Sequence, residues 1–302
     1  MMTQKSETNV NRGNEEQFSF ASISKQFHQL SQDVSLFFTY LYTGSYSVRK
    51  EVDEIECKYH ITSDEAIQCF LKFTKDYLDE TSYQAALVLY REGSIIPGEI
   101  SQVCNAKKVE INYNHTWEDV EKIAHEFGHI LFLGNNFTSQ LLGETIPIFL
   151  ENLAASYLRS FMEHDEIYIR QYKRMITNNT HVRDYVDSIG TCCAFPMYDI
   201  PYVLSSLLSV RLEQLYMQNK EETLKKLPVF LKALKTDDVT LAFQTLDLDV
   251  EYREGRLYCE NDIRTRLVND YFQYYIPRYQ SVLNLPRVSK KRSLREKIKH
   301  FL

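Results

Sequence analysis

Glycine and proline are scarce, 9 and 7 respectively among 302 residues. So few chain breakers leave little room for turn-rich architectures and predict long helices around a substantial core. Long apolar runs are missing as well. No stretch approaches the roughly 18 apolar residues of a membrane span, which excludes a spanning helix from the expectations. The first residues, MetMetThrGlnLysSerGluThrAsnVal, are polar and lack the apolar segment of a secretory signal. A cytoplasmic protein is therefore expected, with export by a non-classical route left open. Cysteine is sparse and scattered: Cys57, Cys69, Cys104, Cys192, Cys193 and Cys259 contain no CxxC pair, which excludes a cysteine-based zinc knuckle. These thiols read as buried or idle groups in a reducing compartment, and the adjacent Cys192 and Cys193 would form only a strained disulfide.

Charge is distributed unevenly. The formal net charge is -6, yet Arg287, Lys290, Lys291, Arg292, Arg295, Lys297 and Lys299 face only Glu296 near the C-terminus. That segment carries a local charge of +6, which leaves -12 for the remainder. An acidic body argues against nucleic acid as a partner, while the basic tail could touch an acidic surface. Three segments follow: a polar, disordered tail over residues 1–16, one helical domain over 17–286, and the basic tail over 287–302. No internal repeat or low-complexity linker divides the middle segment.

Within it, residues 17–80 read as helices, with Phe27, Leu30, Val34, Phe37 and Phe38 at helical intervals. A Thr62 to Glu65 capping box opens the last of them. Residues 85–90 and 108–113 are short apolar runs that predict strands, forming a small antiparallel sheet before residue 116. Helices are expected again from Thr145 to about residue 178, then over 195–219, 221–235 and 260–276. Pro147 is tolerated because it falls in a first turn.

The most informative stretch is residues 120–133, ValGluLysIleAlaHisGluPheGlyHisIleLeuPheLeu. His125, Glu126 and His129 form an HExxH motif, and Val120, Ile123, Phe127, Ile130 and Leu131 recur at helical spacing. Thr116 with Asp119 marks the start of this helix, and Gly134 marks its end. A helix turns about 100° per residue, so the two histidines emerge from one face, able to share a metal ion with Glu126 beside the open position. Two core histidines that merely hydrogen-bond are the plainer alternative, and the residues that follow weigh against it.

Two histidines do not suffice for a catalytic zinc, which takes a third protein ligand and keeps its fourth position for water. Glu144 and Glu151 lie seven residues apart on or near the next helix. Thr145 and Pro147 set the helix start between them, leaving Glu144 in the preceding turn and Glu151 on a rigid helix among Leu150, Leu153 and Ala154. Glu151 is the expected ligand, and Glu144 the expected hydrogen-bond partner of a ligand histidine.

Residues 109–129, which run from a strand through a polar turn into HEFGH, resemble the thimet oligopeptidase and oligoendopeptidase F family of zinc metallopeptidases. Residues 146–156 resemble that family's third-ligand helix, 196–206 its tyrosine-bearing segment and 229–249 its late helical region. The resemblance implies a mainly α, zincin-type catalytic domain with a small antiparallel sheet next to the HExxH helix. It also implies one Zn2+ per chain, a peptide or protein-segment substrate, and Tyr198 and Tyr202 as groups that bind substrate and stabilise the oxyanion. Two departures stand out. The histidine that usually precedes these tyrosines is replaced by a stretch with Cys192, Cys193 and Pro196, and a further tyrosine position reads Ser205. The chain is also shorter before its motif than full-length members of that family.

The expected activity is thus that of a zinc-dependent endopeptidase or oligopeptidase, with His125, His129 and Glu151 on the metal and Glu126 as general base. Residues 108–113 are expected to take the peptide as an added strand. Two competing readings are a catalytically weakened peptide- or protein-binding module and a regulatory protease of narrow specificity.

Overall fold

In the computed structural model, which describes residues 55, 57–105, 107–133, 142–188, 200–236, 238–254 and 256–286, helices dominate and a small sheet lies beside the HExxH helix. The expected tails, the helix around Phe27 to Phe38, Gly134 and Tyr198 lie outside the described residues. The first described helix, α1 (Ser63–Tyr77), opens with the expected capping box: Thr62 accepts from the Glu65 amide while the Glu65 carboxylate accepts from the Thr62 amide at 2.7 Å.

Residues 85–90, read as a strand, are instead part of a helix, α2 (Glu80–Arg91). Asp79 caps it by accepting from the Ser82 amide at 2.7 Å, and Ser82, Ala86 and Leu89 form the buried stripe. Val88 and Tyr90 are exposed, so the apolar run reflects two faces of a helix rather than alternation along a strand. The strands lie further on: β1 (Ile95–Pro97), β2 (Gln102–Asn105) and β3 (Lys108–Ile111). β3 is central, antiparallel to β2 as expected and also parallel to β1. Because β3 is paired on both sides, it has no edge left to offer a peptide, and the sheet edges belong to β1 and β2.

The turn after β3 delivers the chain into the motif helix, α3 (Glu118–Leu133). Its anchor is Asp119, fully buried, whose carboxylate accepts from the Asn114 amide at 2.9 Å, the His115 amide at 2.7 Å and Lys122 Nζ at 3.1 Å. These bonds hold His115 at a φ of 57°, a left-handed conformation seldom taken by side chains with a Cβ. Thr116, expected to cap α3 with its hydroxyl, contributes its backbone carbonyl to the Asp119 amide instead. Its Oγ1 is buried and makes no hydrogen bond among the described residues.

The next helix, α4 (Thr145–Phe161), is buried continuously from Thr145 to Ala155 and packs against α3 more extensively than any other described pair. A helix buried on all sides belongs at the centre of the molecule. The helical stretch expected from residue 145 to about 178 holds two helices: α4 ends at Phe161, a 3-10 turn covers Asp165–Tyr168, and α5 (Ile169–Ser188) runs back across the site. The remaining helices are α6 (Ile200–Gln218), α7 (Lys220–Lys235), α8 (Val239–Thr245) and α9 (Asn261–Leu283), with a hairpin of β4 (Glu251–Arg253) and β5 (Arg256–Tyr258) before α9. α6 packs on α4, and α9 covers α5 and α6. Aromatic side chains tie these layers together, among them Phe70 edge-on to Phe127 at 5.1 Å and Tyr77 edge-on to Tyr157 at 5.2 Å. No described helix is long and apolar enough to cross a membrane.

Candidate metal centre

Four residues apart on α3, His125 and His129 present rings 5.2 Å apart at 75° to each other. The turn just before α4 brings Glu144 to them: its Oε2 lies 3.4 Å from His125 Nε2 and 3.6 Å from His129 Nε2. One ligand atom from each of the three lies within 4.8 Å of the others, so the group could hold a metal ion. All three side chains are largely buried, at 9%, 11% and 16% exposure. Among the described residues Glu144 Oε2 nevertheless makes no hydrogen bond of good geometry, an arrangement that costs free energy unless a cation balances it.

What allows Glu144 to reach α3 is Gly128, inside the motif itself. A Cβ at this position would stand 2.8 Å from Pro147 Cα and 3.0 Å from Pro147 N. The missing side chain lets the first turn of α4 rest on α3, which places the preceding residue, Glu144, over the histidines. Glu144 occupies the N-cap position of α4 without capping it through its side chain, so its carboxylate remains available. We expect Gly128→Ala to push α4 away from α3, lowering stability by about 1–3 kcal/mol as overpacking does. Urea denaturation together with metal titration checks this; unchanged values in both would show that α4 can shift without consequence.

Glu151 lies elsewhere. Two turns into α4 and fully buried, it faces the opposite nitrogen of His125, with Oε2 3.0 Å from Nδ1. Two cations from α5 meet it there. Arg174 donates Nε to Oε1 at 3.1 Å and a terminal nitrogen to Oε2 at 2.6 Å, while Arg170 Nε sits 3.0 Å from Oε2 off hydrogen-bond geometry. The sequence expectation put Glu151 with the histidines on the metal and Glu144 behind a ring; the geometry brings Glu144 into the three-residue group and turns Glu151 toward the far side of His125.

Electrostatics follow from these positions. Burial disfavours an ionised Glu151, but Arg170 and Arg174 outweigh it and hold the carboxyl well below the ordinary range. Burial likewise opposes charge on His125, yet the adjacent carboxylates, Glu144 at 3.4 Å and Glu151 hydrogen-bonded at 3.0 Å, raise it to about 9. His129 is pushed down to about 4, chiefly by burial. Burial raises the carboxyl of Glu126, with His125 and Arg170 partly offsetting it. A carboxylate of raised basicity next to such a centre suits proton transfer.

Tyr202 stands in the first turn of α6, half-buried, and its carbonyl accepts from Ser206 at 2.7 Å. Ser205, at the position where the family resemblance anticipates another tyrosine, is fully buried within the helix. The residues that the sequence reading passed over are Gly128, Arg170 and Arg174. Gly128 was visible as the fourth letter of HEFGH, and the two arginines as cations one turn apart on α5.

No protein-family model matches this sequence, and no curated protein matches it. Among solved structures, the chain is similar to a crystal structure of a candidate peptidase from Chlamydophila abortus, with a TM-score of 0.50 and 14% identity. The likeness covers 87% of this chain and 55% of that one, so this chain spans little more than half of its length. At that identity the match concerns the fold.

Proposed function

We propose that this protein is a zinc-dependent peptidase that hydrolyses peptide bonds with a metal-activated water. One observation carries the reading: His125, His129 and Glu144 converge within 4.8 Å while Glu126 extends from the same helix turn as His125. Two imidazoles and a carboxylate are the donor set of hydrolytic zinc sites, and three protein ligands leave a fourth position to water. The fold shared with the Chlamydophila abortus protein, itself named a candidate peptidase, supports the same class.

In this reading His125, His129 and Glu144 hold the ion, and Glu151 accepts the Nδ1 proton of His125 so that Nε2 faces the metal. Zinc, when bound, supplies the Lewis acidity that makes water nucleophilic near neutral pH. Glu126 takes the proton of the attacking water and delivers it to the departing amine. Tyr202, with Tyr198 as its companion from the resemblance, donates a hydrogen bond to the developing oxyanion; a neutral phenol does this without ion-pairing to substrate.

Purified protein supplied with zinc should cleave a quenched fluorescent peptide library. A chelator is expected to abolish cleavage and added zinc to restore it, with one zinc per chain by metal analysis. Cleavage that survives complete removal of metal would overturn the reading.

A further inference from the structure

We propose that Arg174 is a positioning residue for this centre, acting on His125 through Glu151, and that one face of α5 fixes both the histidine and the tyrosine-bearing turn. The inference rests on the reading of His125 as a metal ligand. A histidine ligand is oriented by whatever its other nitrogen touches, here Glu151 Oε2 at 3.0 Å. A carboxylate alone can rotate about its last bond. Glu151 is prevented from doing so because Arg174 contacts both oxygens, Oε1 at 3.1 Å and Oε2 at 2.6 Å, in the paired geometry that only a guanidinium offers. The orientation of the fork therefore sets the plane of the carboxylate, and that plane sets the ring.

The same face of α5 continues to the other half of the site. Residues four apart on a helix are neighbours, so Arg170, Arg174 and Asn178 lie in one row. Asn178 Nδ2 donates to Ser206 Oγ at 3.0 Å and to the Tyr271 hydroxyl at 3.2 Å, and Ser206 in turn donates to the Tyr202 carbonyl at 2.7 Å. Arg174 is thereby one turn from the bond network that holds the start of α6. The arrangement explains why a helix that contributes no residue to the metal group nevertheless crosses behind it.

An ion pair serving stability alone would alter the unfolding midpoint and nothing else, so the test reads the metal in the folded, zinc-loaded full chain. Zinc release to a chromogenic chelator, kcat and KM are measured for Arg174→Met, Arg174→Lys and the paired variant Glu151→Gln with Arg174→Met, which removes both charges together and keeps the fold accessible. Release is expected to quicken about 10–100-fold in Arg174→Met and in the paired variant, with kcat lowered and KM nearly unchanged. Arg174→Lys, which restores the charge without the fork, should recover only part of the effect. If wild-type chain holds one zinc and the folded variants release it at the wild-type rate, Arg174 has no positioning role and the peptidase reading stands. If wild-type chain takes up no zinc, the peptidase reading fails and this inference with it.

Discussion

Replacing Glu126 with glutamine is expected to lower peptide hydrolysis by about 10²–10⁴-fold while the protein still binds one zinc per chain. The separation of these two outcomes follows from where the side chain stands. Glu126 is adjacent in sequence to His125 but does not belong to the group formed by His125, His129 and Glu144. Its carboxyl is buried and raised in pKa chiefly by that burial, so it can accept a proton and give it up within one cycle. Glutamine preserves size and hydrogen bonding and removes only the basic oxygen. The comparison requires kcat on a cleaved peptide and zinc content on the same preparation. Activity within threefold of wild type would remove Glu126 from the mechanism, and loss of zinc together with activity would recast it as part of the binding site.

Several of these features could be read from the chain. The capping box at Thr62 and Glu65 and the periodicity around HEFGH depend on neighbours within a turn or two, which sequence displays directly. The run 85–90 misled because its apolar residues serve two environments: Ala86 and Leu89 are buried, whereas Val88 and Tyr90 face solvent. The Asp79 cap was the local sign that this segment is helical. The break between α4 and α5 has no comparable sign; the 3-10 turn contains buried Glu166, whose carboxylate accepts from the Lys58 and Tyr59 amides more than 100 positions away. The site divides the same way. The histidines and Glu126 share one helix and were legible as a spacing. Choosing between Glu144 and Glu151 depended on Gly128 admitting Pro147, and on Arg170 and Arg174 arriving from another helix, contacts that no local pattern encodes.

That choice yields the sharpest contrast, because alanine at the two glutamates should fail in different ways. Glu144→Ala removes a side chain that reaches both histidines yet makes no well-formed hydrogen bond at Oε2 among the described residues, so unfolding free energy should change by no more than about 1 kcal/mol. Zinc affinity should fall by more than the roughly 100-fold that an outlying partner carries, since one of the three proposed ligands is gone. Glu151→Ala does the reverse. It strands the largely buried guanidinium of Arg174, and the partly exposed Arg170 beside it, without their anion, and breaking such a pair from one side costs up to about 3–5 kcal/mol. Zinc binding at low temperature, where the variant remains folded, should weaken by no more than about 100-fold because all three proposed ligands persist. Chemical denaturation and chelator competition on both variants supply the four numbers required. A Glu151→Ala chain that is as stable as wild type but devoid of zinc would return Glu151 to the metal and assign the two arginines some other purpose.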